Sequence, residues 1–166
     1  STRKESSAAS DVYKRQRFNE EGALWNEQSI SAARDLQIKY ELSRTVVAID
    51  PATTSSDESD ETGIVVASSY GYGDDRQYSV DGDYSGTYKP SVWAKKAIDA
   101  YEAHSADCIV IETNQGGDMA EETLRNAGFK GRIIRVHAKK GKFARAEPIS
   151  ALYDQGRVAH LSLIHI

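Results

Sequence analysis

The apolar positions of this chain fall into short unbroken runs and helical stripes, divided by strongly polar segments. RTVVAID (44–50) and TGIVVASS (62–69) are β-branched runs of strand length, separated by TTSSDESDE, which is polar enough to read only as a loop. GYGDD is a turn signal, so RQYSVDGDYS (76–85) is predicted to return as a third, antiparallel strand. Pro90 then opens a helix with Trp93, Ala97, Ile98 and Tyr101 along one side. ADCIVIET (106–113) is a continuous apolar run, the mark of a strand covered on both faces. The next helix follows NQGGD, carries Met119, Thr123 and Leu124 inward, and closes near Gly128. GRIIRVH (131–137) reads as a strand and KKGKFARAEP as a basic loop. That loop enters a helix with Pro148 near its first turn and Ile149, Leu152 and Tyr153 inward. Gly156 ends this helix, and RVAH begins a last strand. The order β-β-β-α-β-α-β-α-β predicts an α/β fold. Three antiparallel strands followed by βα alternation make a mixed sheet flanked by helices.

The two ends of the chain do not share this pattern. SSAASDVYKRQ (6–16) reverse-translates without mismatch into a sequencing-library adapter, and LSLIHI (161–166) into the reverse complement of part of it. Residues 1–16 and 161–166 are therefore read as adapter-derived, the former as disordered, and are excluded from fold reasoning. On this reading the natural part is a piece cut at both ends. Residues 17–43 are polar with a stripe of Leu24, Trp25, Ile30, Ala33 and Leu36, expected to be a linker helix trailing from a preceding unit. Residues 44–160 form one domain, long enough for a real core.

Removing the four basic and two acidic residues of the head from the chain's 21 and 25 leaves 17 and 23, a net charge of −6. Such a balance argues against coating nucleic acid by bulk charge but permits a local basic groove. The single cysteine, Cys108, excludes a disulfide framework and reads as a small buried side chain. No apolar stretch approaches the ~20 residues needed to cross a bilayer. These features predict a soluble, intracellular protein with no membrane partner.

Against that background two acids stand out. VVAID runs four apolar residues into Asp50, and Pro51 forbids the strand to continue. Driving an ionised carboxylate to the end of a buried strand costs several kcal/mol unless it is paired or binds a metal. Glu112 closes CIVIE in the same way, and the ribonuclease-H-like order that these elements resemble implies that the two strands are parallel neighbours. Both carboxylates then emerge at one sheet edge, at the carboxyl ends of strands where open α/β sheets bind ligands. Two close acids repel unless a cation lies between them, and hard divalent cations prefer oxygen ligands. Two Mg2+ or Mn2+ ions there would suit phosphodiester hydrolysis. The plainer alternative is that Asp50 caps a turn before Pro51 while Glu112 pairs with a nearby Lys or Arg.

Asp60 is an auxiliary metal-ligand candidate, or equally a solvated loop acid. Asp118 reads as an acid stabilising a helix start, and Gly116 and Gly117 as room for a phosphate near backbone. Lys130, Arg132, Arg135, Lys139, Lys140, Lys142 and Arg145 follow one another with no acid until Glu147. In an acidic chain this suggests a phosphate-tracking surface, with Arg135, Lys139, Lys140, Lys142 and Arg145 as the DNA-binding candidates. A solvated loop neutralised by neighbouring acids is the alternative. His137 reads as a strand cap, with catalysis a lesser option.

The strand order is ribonuclease-H-like, and three segments sharpen the comparison. RTVVAIDPATTS with DETGIVVAS, YSGTYKPSVWAKKAIDAYEAHSADCIVIETNQGGDM, and VHAKKGKFARAEPISALYDQGRVAH together resemble the C-terminal nuclease domain of the terminase large subunit of tailed bacteriophages. ALWNEQSI (23–30) resembles the segment joining that family's ATPase motor to its nuclease. The resemblance implies a metal-dependent endonuclease that cuts concatemeric viral double-stranded DNA in the cytoplasm of an infected bacterium. It places the family's first acid on Asp50 and its second on Glu112, and puts the third further along the chain, beyond this fragment. The partners it implies are DNA, the ATPase domain, the terminase small subunit and the portal. A fragment lacking the third acid is expected to cut slowly or not at all. Three other functions remain open on the residues alone: a resolvase-type nuclease, an actin-like ATP-binding domain, and a catalytically incomplete DNA-docking module. Against the second, no glycine follows Asp50 until Gly63.

Overall fold

The computed structural model describes residues 23–52, 61–113 and 117–161. Asp60, Gly116 and the segments 1–16 and 162–166 lie outside the described residues.

Among the described residues the helices are α1 (Glu27–Asp35), α2 (Pro90–Ala103), α3 (Gly117–Asn126) and α4 (Lys142–Asp154). The strands are β1 (Leu42–Asp50), β2 (Gly63–Tyr70), β3 (Gln77–Asp83), β4 (Cys108–Glu112), β5 (Ile133–Val136) and β6 (Val158–His160). They form one sheet in the order β5-β4-β1-β2-β3-β6. β2 runs antiparallel to both β1 and β3, while β1–β4, β4–β5 and β3–β6 are parallel pairs. This is the mixed α/β sheet of the ribonuclease-H-like fold expected from the order of elements.

Strand alternation explains the core. Val47, Ile49, Ile64, Val66, Ile109 and Ile111 project to one face and are buried against Trp93, Ala94, Ala97 and Ala100 of α2 and Ala120 and Leu124 of α3. Small alanines on α2 let the helix lie close to the β-branched surface, and Trp93 fills the space beside them. Leu124 is fully buried. The inward pair on α3 is thus Ala120 and Leu124, four residues apart on one helical face. Met119, expected inward, is 73% exposed, because it lies a full 100° around the helix from Ala120. Gly128 closes α3 with φ 98°, a conformation that costs glycine nothing.

The crossovers decide where α4 goes. β4 to β5 through α3 steps outward to one sheet edge, and β5 to β6 through α4 travels back to the opposite edge. Right-handed crossovers in opposite directions place their helices on opposite faces, so α4 lies across the face that α2 and α3 leave uncovered. α4 also starts earlier than the sequence pattern suggests. Its N-cap is Gly141, so Lys142–Glu147 are helical and Pro148 stands in the interior, where it withholds an N–H from the Ala144 carbonyl. Ile149, expected inward, is 48% exposed, while Ser150 is buried and donates to the Leu24 carbonyl at 2.7 Å.

The predicted linker helix is shorter than its stripe. Asn26 caps α1, its side chain accepting from the Ser29 amide at 2.8 Å, and the Asn26 amide donates in return to Ser29 Oγ at 3.0 Å. Trp25 packs edge-on to Tyr153 of α4, and Tyr153 packs edge-on to His160 of β6. These contacts seat α1 beside the β6 edge.

Candidate active site

β1 and β4 pair with Ile49 opposite Ile111, and Asp50 and Glu112 stand one step further along the same register. Side chains opposite one another on parallel strands project to the same face, with about 4.8 Å between the strands. The two acids therefore stand side by side at the carboxyl ends of adjacent strands. Their face is the one opposite α2 and α3, because the adjacent positions Ile49 and Ile111 are buried against those helices.

Hydrogen bonds hold both flanks of this pair. On the far side of β1, Asp50 pairs with Gly63, and a Cβ on that glycine would lie 3.5 Å from Asp50 Cβ, so glycine leaves that side of the carboxylate open. Buried Thr62 accepts from the Ala52 amide at 3.3 Å and so holds the chain just after Pro51. Thr62 is itself held by two backbone hydrogen bonds to Gly86. On the far side of β4, Glu112 pairs with Val136, and the Thr113 amide donates to the Val136 carbonyl at 2.8 Å. His137 leans back over this junction, its Nδ1 2.8 Å from the Thr113 carbonyl oxygen. A carbonyl only accepts, so Nδ1 is the donor of this bond.

The basic run divides in two. Arg145, in the first turn of α4, places Nη1 3.0 Å from Glu112 Oε1. Arg135 is held by Asp118 and Glu121 of α3, with Nη1 2.5 Å from Asp118 and Nε 2.6 Å from Glu121. Hydrogen bonds to Glu121 and then Asp118 raise the guanidinium pKa above its ordinary value. Lys139, Lys140 and Lys142 are exposed and enter none of the salt bridges among the described residues. The two arginines thus already have carboxylate partners, whereas the three lysines project into solvent.

Among the described residues no group of three or more His, Cys, Asp or Glu side chains is placed to hold a metal ion. The acids brought together are two, Asp50 and Glu112. Two carboxylates beside an open glycine flank form an all-oxygen donor set suited to a hard divalent cation. The expected alternative that Glu112 pairs with a nearby Lys or Arg is met, and the partner is Arg145. Its sequence signal, a basic residue three positions after Lys142, does not single it out for that pairing until α4 is placed on the face where the acids stand.

A family model described as the terminase RNase H-like domain matches residues 47–163. No curated protein matches the chain. Among solved structures, the nuclease domain of the large terminase subunit gp2 of bacterial virus Sf6 is 20% identical, with a TM-score of 0.49 over 78% of this chain and 54% of that one. The large terminase nuclease from thermophilic phage G20c is 13% identical, with a TM-score of 0.46 over 80% and 72% of the respective chains. Thermus thermophilus RuvC is 16% identical, with a TM-score of 0.46 over 73% and 81%. The chain spans about half the length of the Sf6 structures it matches. With the family match covering most of its length, the chain belongs to the terminase RNase H-like domain family.

Proposed function

We propose that this domain is a metal-dependent endonuclease for double-stranded DNA, working within a viral packaging terminase to cut concatemeric genomes. The family supports a nuclease function, and the observation that carries the finer reading is the shared register of Asp50 and Glu112 at the ends of adjacent parallel strands. These two side chains are the proposed ligands of a pair of Mg2+ or Mn2+ ions, with Asp60 an auxiliary candidate. When bound, such ions supply an activated water and charge stabilisation for the leaving oxygen of a phosphodiester.

The chain's own part is positioning. β1 and β4 hold the carboxylates on a hydrogen-bonded frame, so little reorganisation is needed when the ligand charge arrives. Thr62 holds the Ala52 amide two residues after Asp50, and His137 holds the junction after Glu112. Lys139, Lys140 and Lys142 precede and begin the helix that delivers Arg145 to Glu112, so a DNA backbone following them is led to the acids. The ATPase domain, the small subunit and the portal are the partners proposed for the full-length protein, and the bacterial cytoplasm its place of action.

The test is plasmid nicking by the full-length terminase chain with and without divalent metal. Cutting is expected with Mg2+ or Mn2+ and not after chelation. Asp50→Asn should abolish it, because an amide is a neutral, poor ligand for a hard cation. Full cutting by the Asp50→Asn protein, or cutting that survives chelation, would overturn the proposal.

A further inference from the structure

Glu112 already has a cation beside it, and that cation belongs to the protein. Arg145 Nη1 lies 3.0 Å from Glu112 Oε1, with the Glu112 side chain 18% exposed and that of Arg145 35% exposed. A guanidinium and a metal ion compete for the same carboxylate, because each positive charge raises the cost of the other. Arg145 is not locked in place as Arg135 is. Arg135 spans two carboxylates, whereas Arg145 pairs with one, and its buried Nε has no hydrogen-bond partner among the described residues.

The surroundings offer Arg145 a second kind of partner. It stands in the first turn of α4, whose N-cap, Gly141, provides no side-chain cap. Exposed Lys139, Lys140 and Lys142 lie just before it along the chain. An arginine fork binds a phosphate through two parallel N–H donors, as it does a carboxylate. A DNA phosphate drawn in by the lysines would thus meet a guanidinium held by one ion pair.

We propose that Arg145 is an exchangeable counter-ion of Glu112: it neutralises this carboxylate until a DNA phosphate takes its guanidinium, so that DNA binding and divalent-metal binding strengthen each other. The idea rests on the assignment of Asp50 and Glu112 as metal ligands. Arg145 is a positioning residue in this scheme, acting on the metal through Glu112. Coupling of this kind is reciprocal and typically amounts to about 5–150-fold in affinity.

The experiment is a Mn2+ titration of the chain, read by the electron paramagnetic resonance of free Mn2+, with and without a short phosphorothioate duplex. The variants are Arg145→Gln, Arg145→Lys and Asp50→Asn, with duplex-only titrations subtracted. Wild type should bind Mn2+ at least about 5-fold more tightly when the duplex is present. Arg145→Gln should bind Mn2+ more tightly than wild type without DNA and gain no further from the duplex. Arg145→Lys should keep part of the coupling. Equal Mn2+ affinity in wild type and Arg145→Gln, with Asp50→Asn lacking the site, would overturn the role of Arg145 alone. No Mn2+ binding by wild type or Arg145→Gln would overturn the metal assignment together with it. Nitrogen NMR of the wild-type arginine side chains gives a reading that needs no variant. Adding duplex should move the Arg145 Nε signal and leave that of Arg135, and an unmoved Arg145 signal would refute the exchange.

Discussion

Two histidines show how one residue type takes different work from its surroundings. His137 is exposed and holds a strand junction through Nδ1. His160 is half-buried, hydrogen-bonded to the Tyr153 hydroxyl, and its Nδ1 is buried without a partner among the described residues. Burial, and secondarily the charge of Arg34, hold its imidazole below the ordinary value of 6.5. A depressed histidine pKa means that the unfolded chain takes up a proton before the folded one does. Stability should therefore be intact above the unfolded value of 6.5 and fall as the pH drops below it. Thermal midpoints measured from about pH 7.5 down to about pH 5 should decline, and His160→Gln should flatten that decline. An equal decline in the variant would place the titrating group elsewhere.

At the scale of elements, α3 is bound to the sheet by an apolar pair on one side and a charged pair on the other. Ala120 and Leu124 enter the core, while Asp118 and Glu121 reach over to Arg135 on β5. Removing the Leu124 side chain leaves a cavity among Ile and Val side chains that cannot close around it. Leu124→Ala should cost about 2–5 kcal/mol in denaturant unfolding. Met119→Ala, on the exposed side, should stay within about 0.5 kcal/mol of wild type. The reverse ranking would mean that α3 is rotated from its observed setting. The charged pair has a different consequence. Arg135 is exposed and doubly anchored by carboxylates, so Arg135→Gln should change the salt dependence of DNA binding much less than loss of a phosphate-contacting lysine does.

For the whole molecule, net charge and local charge point in opposite directions. The chain is acidic, at −4, yet three of its exposed lysines, Lys139, Lys140 and Lys142, gather on the segment that leads into α4. DNA should consequently be attracted to this segment although the net charge of the chain opposes it. Replacing the three lysines by glutamine should weaken duplex binding and flatten its salt dependence by about one unit of slope per lost phosphate contact. Fluorescence anisotropy across a salt series measures this directly. An unchanged slope would remove the basic segment from the DNA path.

Local chemistry made much of this protein readable from its sequence. An apolar β-branched run that ends in an acid and a proline identifies Asp50 as a strand-end carboxylate without reference to any other residue, and CIVIE does the same for Glu112. The resemblance of the element order to the ribonuclease-H-like one implied that those strands are neighbours, and the sheet order bears this out. What lay beyond the sequence were relations set by rotation and by distance along the chain. Whether Met119 or Ala120 faces the core turns on a rotation of one residue about the helix axis, and only packing against β4 selects it. Pro148 looks like a helix start because proline favours the first turn, yet the sheet-crossing path of α4 carries it into the interior. The pairing of Arg145 with Glu112 joins residues on different elements. It exists because the chain reverses direction across the sheet and brings α4 onto the face where the acids stand. Which side chains carry charge at strand ends is legible along the chain, because it is a property of sequence neighbours. Which charges meet is settled in three dimensions, because it depends on the face to which each crossover assigns its helix.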